Sequence, residues 1–160
     1  MKISLLVLCV LSLPLPAHAA ESGPAAQCVR VGNDDTIRGY DPALQAGLRR
    51  AYARLFPQAH TPPDDRAFQA QAHVRCMDGR LLACFTGANL PCGRMNASRD
   101  NPGATAFCKA DPQADVVPAF ATGHDTIYAY RCVDGRPRVT GNTFQLDSRG
   151  FAASLWAPLD

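Results

Sequence analysis

The segment Arg75-Cys76-Met77-Asp78-Gly79-Arg80 returns as Arg131-Cys132-Val133-Asp134-Gly135-Arg136, and no other stretch constrains the fold as much. Asp-Gly accepts positive φ at both central positions of a two-residue turn, so each copy predicts a β-hairpin. A two-residue turn also sets the register: Cys76 faces Leu81, Val74 faces Ala83 and His73 faces Cys84. Cys76 and Cys84 then point to opposite faces, which rules out a bond between them. The same parity groups Cys76 with Val74 and Ala72, and Cys132 with Tyr130 and Tyr128. Both cysteines turn inward, and Arg75 and Arg131 turn away from them. Shared turn chemistry explains the match more simply than internal duplication does. Thr140 stands where the first copy has Cys84, and Pro137 removes a ladder donor just after the second turn.

The compartment follows from the first twenty residues. Met1-Lys2 gives a basic start, Ile3 to Leu15 an apolar run and Ala17-His18-Ala19 a small-residue cleavage site, so residues 1–19 read as a signal peptide. The apolar run is shorter than the roughly 18 residues of a membrane span, and no later segment approaches that length. Leu8 before Cys9 does not suit lipoprotein processing. Residues 20–160 then form a single domain, periplasmic or secreted, with six of the seven cysteines. An even number in an exported chain implies three disulfides among Cys28, Cys76, Cys84, Cys92, Cys108 and Cys132. Six cysteines allow fifteen connectivities, and the symmetry of the hairpins suggests Cys76 to Cys132 as one bridge. No Cys-x-x-Cys pair is present, which argues against zinc.

Charge narrows the partners. Without Lys2 the chain carries 15 basic and 14 acidic residues, a net charge of +1, where a nucleic-acid surface would show a marked basic excess. Arginine and aspartate supply nearly all of this charge, a bias that a GC-rich genome explains.

Along the chain, Cys28 to Val31 reads as a short strand and Asn33-Asp34-Asp35 as a polar turn. The clearest helix runs from Asp41 to Phe56: Asp41 caps it, Pro42 suits its first position, and Leu44, Leu48, Ala51, Tyr52 and Leu55 recur at helical spacing until Pro57. Gln69 to Cys76 alternates as a half-buried strand, and Arg80 to Thr86 returns from the first turn. Asn101-Pro102 opens a short helix through Cys108 that Pro112 ends. Val116-Val117 and Ala119-Phe120-Ala121 suggest another strand, and Phe144 to Trp156 a weakly patterned final one. The expected fold is α+β: a small antiparallel sheet built on the two Asp-Gly hairpins, one packed N-terminal helix, a short helix in the connection, and three disulfides.

No catalytic set assembles in the sequence. His124 and Asp125, in Thr122-Gly123-His124-Asp125-Thr126, are the candidates for a general base and its carboxylate. No nucleophile motif accompanies them, and a turn accounts for them better. The spacing of Asp111, Asp115, Asp125 and Asp134 singles out no glycosidase pair. Nothing in the pattern calls for a metal or a cofactor. What remains is a binding surface made of Arg75, Arg80, Arg131, Arg136 and Arg138 around the hairpins, suited to acidic protein loops, phosphates or glycan carboxylates. Trp156 reads as core or edge cover.

Tyr130-Arg131-Cys132-Val133-Asp134-Gly135, with Gly87-Ala88-Asn89-Leu90-Pro91-Cys92-Gly93 and Gly123-His124-Asp125-Thr126-Ile127-Tyr128, resembles small uncharacterised exported proteins of proteobacteria over most of residues 74–159. That resemblance implies an exported bacterial protein with a disulfide framework. The Tyr-x-Cys-x-x-Gly strand and turn is also similar to one in the periplasmic inhibitors of c-type lysozyme. The serine-glycine inhibitory loop of that family is missing, so neither its barrel nor its activity carries over. The expected function is a non-enzymatic binding module acting on an envelope or secreted protein, with a hydrolase among the candidate partners. The alternatives are a small periplasmic hydrolase using His124 and Asp125, and a structural envelope protein.

Overall fold

A computed structural model describes residues 23–160 except 62 and 88, so the expected signal peptide lies outside the described residues. The chain forms α1 (Pro24–Val31), β1 (Asp34–Arg38), a 3-10 turn (Pro42–Leu44), α2 (Gln45–Leu55), α3 (Asp65–Gln71), β2 (Ala72–Met77) and β3 (Arg80–Phe85). Then come α4 (Pro102–Ala110), α5 (Ala119–Thr122), β4 (Tyr128–Val133), β5 (Arg136–Asn142), a second 3-10 turn (Ala153–Leu155) and β6 (Ala157–Pro158). The fold is α+β, with a small antiparallel sheet and three disulfides. The two hairpins occupy separate sheets: β1-β2-β3-β6, and the two-stranded ribbon β4-β5.

Asp78 and Gly79 have φ of 51° and 76°, and Asp134 and Gly135 have 50° and 74°. Positive φ at both central residues gives turns whose twist matches that of the strands they join. Across β2 and β3, Cys76 lies opposite Leu81, Val74 opposite Ala83 and His73 opposite Cys84. The Ala72–Val74–Cys76 face, with Leu81, Ala83 and Phe85, packs on Leu48 and Ala51 of α2 and Phe68 of α3. Asp41 caps the entry to α2, its Oδ1 accepting from the Ala43 N–H at 2.9 Å. Gly47 leaves the slot that Leu159 fills; a Cβ there would lie 3.1 Å from the Leu159 Cβ.

Several local expectations give way to tertiary context. Cys28 to Val31 is the end of α1, because Pro24 suits a helix start and two alanines follow it. Asp34 and Asp35 begin an edge strand, whose charged residues resemble a turn in sequence. Gln69-Ala70-Gln71 closes α3, which Asp64 caps by accepting from the Ala67 N–H at 2.8 Å. Ala119–Thr122 is a helical turn rather than a strand. Residues 144–156 hold only isolated bridges and the second 3-10 turn before β6.

The cysteines pair as Cys28–Cys76, Cys84–Cys92 and Cys108–Cys132. The suggested Cys76–Cys132 bridge is therefore absent: each hairpin cysteine bonds to the helix packed against its own hairpin. This reveals a repeat larger than the six matching residues. Cys28 of α1 and Cys108 of α4 play the same part. Four residues on, the Gly32 and Pro112 carbonyls accept from the turn glycines, Gly79 at 2.8 Å and Gly135 at 3.1 Å. One residue further, the Asn33 Oδ1 accepts from the Asp78 N–H and the Gln113 amide donates to Asp134, each at 3.0 Å. At the next position, Asp34 pairs with Cys76 and the Ala114 carbonyl accepts from the Cys132 N–H at 2.8 Å. The repeating unit is thus a cysteine-bearing helix, an extended flank and an Asp-Gly hairpin. We call these the first and second units.

His73, beside the Cys84–Cys92 bond in the register of β2 and β3, is partly buried, and desolvation lowers its pKa below the ordinary 6.5. Below 6.5 the unfolded chain then binds more protons than the folded one. This contribution to stability is present above pH 6.5 and is lost as pH falls through the folded value. Denaturant midpoints measured between pH 7.5 and 5 should fall, and His73→Gln should flatten that part of the profile. An unchanged slope in the variant would count against the assignment.

Candidate functional site

The five arginines expected around the hairpins meet opposite fates in the two units. Arg75 lies on the β2 face away from Cys76 but is fully buried, not an outward contact. Residues from late in the chain cover it. Its Nη2 donates to Asp147, and its guanidinium carbon sits 4.1 Å from the Phe151 ring centre and 4.6 Å from that of Trp156. The Asp147 Oδ1 in turn accepts from the Arg149 N–H at 2.8 Å and the Phe151 N–H at 3.0 Å, shaping the turn that carries these partners. Arg80 donates to Asp160 at 2.9 Å and holds that carboxyl below its usual range. The outer edge of β3 is occupied as well: Leu82 pairs with Pro158, Ala83 with Ala157, and the Leu81 carbonyl accepts from the Leu159 N–H at 3.1 Å.

In the second unit the corresponding positions stand open. Arg131 lies directly opposite Arg138, and Val133 opposite Arg136. Directly paired residues share a face and side chains alternate along each strand, so Arg131, Arg136 and Arg138 project from one side of the ribbon. The other side carries Tyr130, Cys132 and Val139 against Ala104 and Cys108 of α4. All three arginines are exposed. Among the described residues none has a carboxylate within 4.0 Å, whereas Arg38, Arg49, Arg75, Arg80, Arg94 and Arg149 each pair with an aspartate. Like charges directly opposite destabilise a ladder, so nothing in hairpin stability favours this arrangement.

Backbone groups add to the opening. The Cys132 N–H donates to Ala114, and the Tyr130 carbonyl accepts from the Val117 N–H, so both residues direct their main chain away from β5. Their partners Pro137 and Val139 therefore direct theirs the other way, toward the outer edge of the ribbon. Pro137 has no N–H to leave unpaired there, which explains a proline inside a strand. Outside the β4–β5 ladder, its carbonyl and the N–H and carbonyl of Val139 have no backbone partner among the described residues, and the register turns them away from β4. A groove of about 450 Å³ ends on Pro137 and is bordered by Arg99, Asp100 and Lys109. Sequence reasoning did not single out Arg99 or Lys109, nor Asp147 as a partner of Arg75.

His124 and Asp125 do not form a dyad. Both are exposed in the loop after α5, and the His124 ring makes no hydrogen bond among the described residues. His124 borders a shallow groove with Thr122, Thr126, Tyr128 and Thr143, but Asp125 does not. No cluster of three or more His, Cys, Asp or Glu side chains able to hold a metal occurs among the described residues. Arginines lower two carboxylates of the first unit: an Arg38 hydrogen bond, helped by the Thr36 N–H, lowers Asp34 to about 2, and an Arg149 hydrogen bond lowers Asp35. The described residues contain no helix long and apolar enough to cross a membrane. No protein-family model, curated protein or solved structure matches the chain.

Proposed function

We propose that this protein is a non-enzymatic binding module of the periplasm or extracellular space, and that the arginine face of its second unit contacts an acidic surface on an envelope or secreted protein. One observation carries the reading: Arg131 lies opposite Arg138, with Arg136 on the same exposed face, and among the described residues no aspartate pairs with any of them. Guanidinium groups bind carboxylates bidentately, and their planar fork loses less freedom per hydrogen bond formed than a lysine ammonium does. The Cys108–Cys132 bond ties this ribbon to α4, so little ordering is left to be done on binding. The three disulfides are compatible with an oxidising compartment, as is the signal peptide expected at residues 1–19. A hydrolase partner belongs to the same reading, since the binding chemistry is that of an acidic surface whatever enzyme carries it.

The test is capture from envelope and secreted fractions by the oxidised protein, compared with an Arg131→Glu/Arg138→Glu variant. Rim charges act through electrostatic steering, so the wild type should capture a specific partner in a salt-sensitive way and the variant should lose it at least tenfold. Equal recovery by the two proteins would remove the arginine face from the function.

A further inference from the structure

We infer that the outer edge of β5 accepts an extended acidic segment from the partner, seated as the chain's own residues 157–160 sit on β3. The inference rests on the reading that the second unit is the binding face and specifies what that face takes. The first unit supplies the pattern. The hairpin repeat sets Arg75 in correspondence with Arg131, Arg80 with Arg136, Leu81 with Pro137 and Ala83 with Val139. In the first unit every one of these positions is engaged by residues from late in the chain. Arg75 holds Asp147, Arg80 holds Asp160, the Leu81 carbonyl accepts from Leu159, and Ala83 pairs with Ala157. Among the described residues the second unit repeats the hairpin without the cover: Arg131 and Arg136 have no carboxylate within 4.0 Å, and the register directs the main-chain groups of Pro137 and Val139 outward.

The occupant's chemistry follows from what is open. Main-chain pairing at Val139 and at the Pro137 carbonyl requires an extended backbone, the mode by which peptides add a strand to a sheet edge. One carboxylate is needed in register with Arg136, as Asp160 is with Arg80; Asp147, which answers Arg75, lies ahead of β6 in the chain, so a charge over Arg131 is supplied from outside the paired segment. Arg99 and Lys109 border the groove beside this edge and add to its positive field, with Asp100 opposing them. The same charges discourage a second copy from pairing here edge to edge, because its own β5 would bring Arg136 and Arg138 against their counterparts.

The probe is a labelled peptide copying residues 153–160, Ala-Ser-Leu-Trp-Ala-Pro-Leu-Asp, amidated at its end so that the last side chain supplies its only carboxylate. Added to the intact oxidised protein at low salt, it should bind saturably by fluorescence anisotropy and slow hydrogen exchange at the Val139 amide. Arg136→Ser should weaken binding at least tenfold, and so should Asn in place of the peptide's Asp. Arg80→Ser should change it less than twofold. The proposal is overturned if Val139 gains no protection, if Arg136→Ser binds as the wild type does, or if Arg80→Ser weakens binding as much, which would mean exchange with the chain's own segment. The capture assay separates the two readings. Loss of capture in Arg131→Glu/Arg138→Glu without peptide binding removes the strand geometry alone, whereas peptide binding with capture unchanged supports the edge site and removes the arginine face as the surface that captures the envelope partner.

Discussion

The double substitution Cys28→Ala/Cys76→Ala is expected to lower the free energy of unfolding by about 4 kcal/mol, against about 2.5 kcal/mol for Cys84→Ala/Cys92→Ala. The difference comes from loop length: the first bond closes a separation of 48 residues and the second one of 8, so the first removes more entropy from the unfolded chain. Cys108–Cys132, spanning 24 residues, should fall between them. A domain of this size has about 5–15 kcal/mol in total, so loss of the longest bond alone brings the fold near its limit. Urea titrations of the three double variants give the order directly. Equal losses, or the largest loss at Cys84–Cys92, would show that native-state effects outweigh loop closure.

Asp147→Ala should be comparably damaging, for a different reason. Arg75 is fully buried, and among the described residues its Nε and Nη1 have no hydrogen-bond partner and Asp147 is the one carboxylate within 4.0 Å. Removing one member of a buried ion pair typically costs about 3–5 kcal/mol, because the other charge is left uncompensated. Arg75→Met is the informative counterpart. A thioether chain can occupy the space between Phe151 and Trp156, and methionine packs well against aromatic rings. It should therefore cost less than Asp147→Ala, even though it removes the same ion pair. If the two variants unfold at the same urea concentration, the penalty lies in lost packing around residues 147–156 rather than in a stranded guanidinium.

What the sequence disclosed was mostly local. Asp-Gly at positive φ, the Asp41 and Asn101 caps, and the prolines at the starts of α4 and of the 3-10 turn before α2 act through nearest neighbours, so the turns and those helices were legible. Parity correctly separated Arg75 from Cys76, but it could not say what lay beyond that face. The carboxylate and the two rings that cover Arg75 come from residues 147, 151 and 156, which carry no periodic signal. The disulfide partners were hidden for a related reason. The repeated helices share a proline near the start and a cysteine within, and little else, so the larger unit emerges only when the hydrogen bonds to the two turn glycines are compared. β1 reads as a turn because an edge strand tolerates the charges that an interior strand excludes. The candidate site was half legible: three of the five nominated arginines gather on one face, and the fate of the other two depends on contacts far away in sequence.

The cover over Arg75 also has a consequence for the order in which the molecule can be completed. Asp147 follows Arg75 by 72 residues, and the strand that closes β3 comes later still. A chain emerging from its N-terminus exposes Arg75 and the β3 edge until residues 147–159 arrive. Through that interval the first hairpin has a vacant edge and two unanswered arginines, as the second has among the described residues. The finished protein thus preserves on one hairpin a condition through which the other only passes.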